Sequence, residues 1–182
     1  MADGTFSKLP DVWFDVYARL IPGATIIGLV LLKFGIFPDD TTIGSATWII
    51  FFGYVLGHLI QPATTFLTIQ LIERNTGVLS EKAEAYQVLK PESRGAMVLS
   101  KQHAETVGFF AVALGCLFIP FSDEIALFLQ LTDQPSAESA NVRLPDRLFY
   151  ALTMLFLLFS VERAFEQLRR SRRYLNQARP QT

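Results

Sequence analysis

Five side chains able to hydrogen-bond, Tyr54, His58, Gln61, Thr65 and Thr68, follow one another at intervals of four, three, four and three residues. That spacing sets all five along one stripe of an α-helix. Their surroundings are apolar: no Asp, Glu, Lys or Arg occurs in the 32 positions between Asp40 and Glu73. An imidazole or an amide left without partners in hydrocarbon is costly, so the stripe is expected to face protein or water. Its chemistry suits two uses. It can bond helix to helix, within the chain or between copies, or it can line a wet pore formed by several copies, with His58 conferring sensitivity to pH. The stripe holds no Asp, Glu, Lys or Arg, and proton-coupled transport is the use least suited to it.

Other constellations lead away from catalysis. His103-Ala104-Glu105 has the H-x-E spacing of zinc deaminases, but that chemistry needs a P-C-x-x-C partner and the chain has one cysteine, Cys116. A single cysteine also excludes an intramolecular disulfide and a cysteine-rich metal site. The two histidines, His58 and His103, are expected at depths differing by roughly 15 Å at 1.5 Å per helical residue, too far apart to share a haem. No nucleophile and base pairing or glycine-rich phosphate loop is present. Neither an enzymatic activity nor a cofactor or metal is expected.

Charged residues gather where the apolar runs end: Glu73 and Arg74, His103 and Glu105, Glu162 and Arg163. Antiparallel packing would bring these to similar depth. Pairs such as Glu105 with Arg163 would then tie helix ends together, the alternative being a site for a cytosolic ligand.

The elements that must position these groups follow from composition. Of 182 residues, 51% are hydrophobic and only 18% charged, against roughly a quarter charged in soluble domains. Mean hydropathy is +0.32. Sixteen phenylalanines argue against disorder, and a net charge of -1 gives no basic field for nucleic acid. A bilayer core of about 30 Å takes about 20 apolar residues in a helix. Four runs approach or exceed that length, at 20–37, 48–72, 104–122 and 147–168. The chain is therefore expected to be all-α, a single membrane domain over 1–182 forming a four-transmembrane-helix bundle, with a loop at 73–101 and a basic tail at 169–182.

The basic residues orient it. Thirteen of 16 fall before the first span, between the second and third, or after the fourth; only Arg143 and Arg147 lie between the third and fourth. Such asymmetry is expected of a chain with both termini in the cytoplasm, and a bacterial inner membrane is the expected home, with a eukaryotic membrane as the alternative. Lys33, near the end of the first run, is expected to snorkel toward the headgroups. No cleavage site follows that run, and the first span is expected to be retained.

Glycine and alanine suggest how the spans meet. Gly53 and Gly57 form a G-x-x-x-G beside the polar stripe, and Ala104, Gly108, Ala111 and Gly115 form a seam of small residues on the third span. Spans two and three are expected to pack through these two seams. Pro62 is expected to bend span two. Before the first span, Asp11, Asp15 and Arg19 share one helical face opposite Val12, Trp13, Val16, Tyr17 and Leu20. This segment suits a headgroup-level helix kinked at Pro22-Gly23, or an extension of the span. In the loop, Ser80 is expected to cap a helix running to Leu89, with a second helix starting near Pro91. The tail either grips anionic lipid headgroups or only fixes topology.

A polar stripe and small-residue seams on four short spans leave little interior to hide them in one chain. The expected function is that of an oligomeric structural or scaffolding membrane subunit, homo-oligomeric or within a larger complex. The alternative is a homo-oligomeric pore or membrane-permeabilising effector, such as serves bacterial defence, lined by span two.

Overall fold

A computed structural model describes residues 15–34, 43–90, 93–121 and 145–178. A π-helical turn, Asp15–Leu20, leads directly into α1 (Ile21–Phe34). Next, α2 (Ile43–Thr68) continues through a second π-helical stretch, Ile69–Glu73, and a last turn, Arg74–Thr76. The remaining helices are α3 (Val78–Val88), α4 (Arg94–Phe118), which tightens into a 3-10 turn at Ile119–Phe121, and α5 (Asp146–Ala178). Among the described residues there is no strand.

Four stretches are long and apolar enough to cross a membrane: Asp15–Lys33, Ala46–Thr76, Arg94–Phe121 and Asp146–Ala178. The protein is an all-α, multi-pass membrane protein. Helices are the only open-ended segments that satisfy every backbone donor and acceptor without water, so these apolar runs are helical throughout.

The third stretch is the hub. In α4, 61% of the most apolar window is buried, against 17% in α2 and 22% in each of the other two. Leu99, Ala104, Thr106, Val107 and Cys116 are wholly enclosed. α5 lies along α4 for most of its length, and α1 packs between α2 and α4. One core joins Ile72, Val78, Phe110, Ala164 and Leu168. A second joins Ala18, Ala104 and Val107.

Prolines and glycines set the irregular points. Pro22 cannot donate to Ala18, and the helix opens into the π-helical turn just before it. The described part of the leading segment, Asp15–Leu20, therefore continues the first span; its residues before Asp15 lie outside the described residues. α2 carries Pro62 within a continuous helix. Gly77, at φ 75°, ends the turn after α2 and opens α3. The start of α3 thus belongs to Gly77, not Ser80, whose hydroxyl donates back to the Gly77 carbonyl at 3.2 Å. Glycine prevails because reversing the chain in one residue requires the left-handed conformation. Ser93 caps α4, its hydroxyl accepting from the Ala96 amide at 3.2 Å. The residues of the basic tail up to Ala178 are a continuous extension of α5.

Lys33 does not snorkel. The residue is 4% exposed, and Nζ donates to the carbonyls of Ile119 at 2.9 Å and Pro120 at 3.0 Å. Asp146 Oδ1, at the start of α5, lies 3.7 Å away. The free carbonyls at the C-terminal end of α4 carry partial negative charge, and they outcompete the headgroup region for the ammonium. Three spans are joined through one side chain.

Candidate functional site

The stripe on α2 divides into three environments. Thr68 is wholly buried, and among the described residues its hydroxyl has no hydrogen-bond partner. Gln61 and Thr65 are half-buried: Gln61 Oε1 accepts from Arg19 Nε at 3.3 Å, and Gln61 Nε2 donates to Thr65 Oγ1 at 3.3 Å. Arg19 also pairs with Asp15 one turn earlier. Tyr54 and His58 are exposed on the surface of the chain, their rings nearly parallel with centroids 6.3 Å apart. The stripe is one face of the helix, but the neighbour covering that face changes along its length. Beside the exposed pair, Trp48, Phe51, Phe52, Leu59 and Phe66 also project outward.

The small-residue seams meet the first span, that is α1 and the turn Asp15–Leu20 leading into it, rather than each other. A methyl group at Gly53 would lie 2.6 Å from the Ala24 nitrogen, and one at Gly57 would lie 2.0 Å from the Arg19 carbonyl oxygen. On α4, one at Gly108 would lie 2.1 Å from the Tyr17 carbonyl oxygen, and one at Gly115 would lie 2.5 Å from the Ile26 side chain. Ala104 packs against Ala18. Ala111 lines an apolar groove of about 550 Å³ shared by α1, α2 and α4. α2 and α4 do touch one another, but the two seams do not form that contact: each is cut back to admit the first span and the turn that leads into it. A seam of small residues signals close approach without naming the partner.

At the other end of α2 the π-helical stretch finishes on Glu73, whose side chain is 0% exposed. Lys82 Nζ, from α3, donates to Glu73 Oε2 at 2.6 Å. His103 Nδ1, from α4, lies 2.7 Å from Glu73 Oε1. Lys82 Nζ is also 3.4 Å from that nitrogen. An ammonium has no acceptor to offer, and a carboxylate no donor, so the shorter contact assigns the Nδ1 proton to the bond with Glu73. A buried carboxylate requires partners of this kind, and two elements supply them. Partial burial and the Glu73 carboxylate push the Tyr86 phenol, on α3, up to about 12.

The other charged residues stand apart from this triad. Glu105 Oε2 is 3.5 Å from Arg163 Nε, and Lys101 Nζ is 3.7 Å from Glu105 Oε1. Arg163 also pairs with Glu166 at 2.7 Å. Arg74 is exposed and donates to Gln70 at 3.3 Å, and Glu162 is exposed. Of the residues found here, Lys82 and Arg19 carry no sequence signal of their role. Arg19 reaches a partner 42 residues along the chain and Lys82 one only nine residues away but across the turn at Gly77, and only the docking of the leading turn and of α3 brings them there.

Among the described residues no three His, Cys, Asp or Glu side chains are grouped to hold a metal ion. Cys116 is buried and forms no disulfide. Several of these polar groups tie helices together, Glu73 with Lys82 and His103 and Gln61 with Arg19 among them, while Tyr54 and His58 of the stripe are left exposed at the perimeter. Comparison of the chain with protein-family profiles, with characterised proteins and with solved structures finds no match.

Proposed function

We propose that the protein is a non-catalytic subunit of a membrane assembly, held to further copies of itself through the exposed face of α2. One observation carries this reading. His58 lies midway along the unbroken helix Ile43–Glu73, fifteen residues from each end. At 1.5 Å per residue it is about 22 Å from either end, so any hydrocarbon slab of about 30 Å placed within that helix contains it. An imidazole and a neighbouring phenol exposed there are unfavourable against lipid tails and favourable against a second α2. The aromatic side chains around them offer the apolar area such a contact needs.

In this reading both termini lie in the cytoplasm of a bacterial inner membrane, an orientation the distribution of basic residues supports. The arginines of α5 beyond Leu168 would face anionic headgroups there. A pore lined by the whole stripe is disfavoured: Thr68 is buried and Gln61 is engaged by Arg19.

Cysteine cross-linking tests the proposal. In a Cys116→Ser background, Tyr54→Cys and His58→Cys are expected to form disulfide-linked dimers in native membranes, whereas Met154→Cys on the exposed side of α5 is not. Equal cross-linking from all three positions, or a monomer by native mass spectrometry at every concentration, removes the α2 interface. Ion flux through liposomes that changes between pH 5 and pH 8 and is altered by His58→Ala would restore the pore.

A further inference from the structure

Four arginines of α5 follow Leu168 within the described residues, and their partners divide them. Arg170 pairs with Glu166, and Arg172 Nε lies 3.1 Å from Glu81 Oε1 on α3. Arg169 and Arg173 are exposed, and among the described residues neither has a hydrogen-bond or ion-pair partner. One helical turn separates them, so their side chains leave the same face of the helix. Both line a concavity of about 670 Å³ along that face, together with Phe165, Tyr174 and Gln177.

The concavity also holds two carboxylates, and neither serves this pair. Glu166 is taken by Arg163 at 2.7 Å and by Arg170. Glu162 stands at the far end, seven residues from Arg169 and 11 from Arg173, which at 1.5 Å per residue is about 10 Å and about 16 Å. The end formed by Arg169 and Arg173 therefore offers two cations and no anion. Guanidinium groups one turn apart can grip the oxygens of a single phosphate through charge-assisted hydrogen bonds.

Depth selects the source of that phosphate. Asp146, beside Lys33 at the opposite end of the bundle, begins α5. Arg169 is 23 residues further on, about 34 Å at 1.5 Å per residue, so a hydrocarbon slab of about 30 Å bounded by Asp146 ends just short of it. The headgroup layer beyond the slab reaches Arg169, and the long side chain of Arg173 can bend back to the same layer. Phe165, 45% exposed and one turn nearer the slab, gives the concavity an apolar end.

We propose that Arg169 and Arg173 form one site for the phosphodiester of an anionic glycerophospholipid in the cytoplasmic leaflet, its acyl chain beside Phe165. A zwitterionic lipid would bring its own ammonium to an end that already holds two cations and no carboxylate. The site thus discriminates a glycerol headgroup from an ethanolamine one. It rests on the proposed function only for the leaflet, and not on the α2 interface.

The test titrates the full chain, purified in mild detergent, with short-chain phosphatidylglycerol or phosphatidylethanolamine and follows the first bound lipid by native mass spectrometry. The wild-type chain is expected to bind the glycerol lipid about tenfold or more tightly, the scale of one charge-assisted hydrogen bond. Arg169→Gln and Arg173→Gln should each remove most of that preference, and Arg169→Lys should keep part of it. Arg172→Gln deletes the same charge from a residue engaged by Glu81 and should leave the preference intact. All three positions are exposed, so unfolding midpoints should stay near the wild-type value. Equal affinity for the two lipids, or an equal loss in Arg172→Gln, would mean attraction to the overall charge of the tail and would overturn the proposal. So would displacement of the lipid by hexaglutamate, which would make the pair a docking face for an acidic protein, or by inorganic phosphate at the same concentration, which would deny the acyl contact. Affinity in detergent depends on neither topology nor the α2 interface, so failure here and failure of the cross-linking are read apart.

Discussion

Glu73 and His103, thirty residues apart on α2 and α4, meet at 2.7 Å around a carboxylate that no solvent reaches. Lys82 closes the same carboxylate from α3 at 2.6 Å. The three residues fasten the connecting helix to two spans, so the region between α2 and α4 is docked on the bundle.

Removing one member of this triad leaves a buried charge without its partner, a loss of about 3 to 5 kcal/mol. Lys82→Met is therefore expected to lower the thermal midpoint in detergent sharply. Lys82→Met combined with Glu73→Met should cost less than the sum of the single changes, with a coupling of about 1 to 3 kcal/mol in a double-mutant cycle. Strict additivity would show that the contact contributes nothing.

The glycines predict a contrast within α1 and α2. Gly57→Ala places a methyl group 2.0 Å from the Arg19 carbonyl oxygen and is expected to drive α1 off α2. Gly28→Ala meets nothing within 4 Å and should stabilise by about 0.5 to 1 kcal/mol through helix propensity alone. Opposite shifts in unfolding midpoint are the expected outcome; similar shifts would refute the placement of α1.

Lys33→Met strips the carbonyls of Ile119 and Pro120 of their donor. Hydrogen bonds to a charged group are worth about 1.5 to 3 kcal/mol, more where the acceptor stays buried. Amide exchange in the last turn of α4 should accelerate while the triad end of the bundle keeps its protection, as read by hydrogen–deuterium exchange.

Gln61→Leu keeps the Arg19 ion pair with Asp15 and deprives Thr65 of the amide donor. The long distances of 3.3 Å imply a loss of about 1 kcal/mol. A larger loss, of the size expected for Lys82→Met, would show that Arg19 depends chiefly on Gln61.

The sequence by itself determined that four helices cross a membrane, because intolerance of hydrocarbon toward charge acts on each short window of chain separately. It also announced where backbones approach closely, since a residue without a side chain at Gly53, Gly57, Gly108 or Gly115 is a local signal. The presence of charged residues at the ends of the runs was legible in the same way, and so the Glu105 and Arg163 pairing could be anticipated from antiparallel depth. Tertiary structure decided the rest. Small-residue seams specify contact without identity, and the π-helical turn before Pro22 is what delivers α1 into both of them. Equal spacing placed the polar stripe on one face, yet only the end point of α1 and the docking of α4 leave Tyr54 and His58 uncovered while enclosing Thr68. Lys33 and Lys82 read as ordinary cations until the free carbonyls of α4 and the buried carboxylate of Glu73 are in place. A charge in low dielectric takes its position from the partner it finds, and that partner lies dozens of residues away or on another helix.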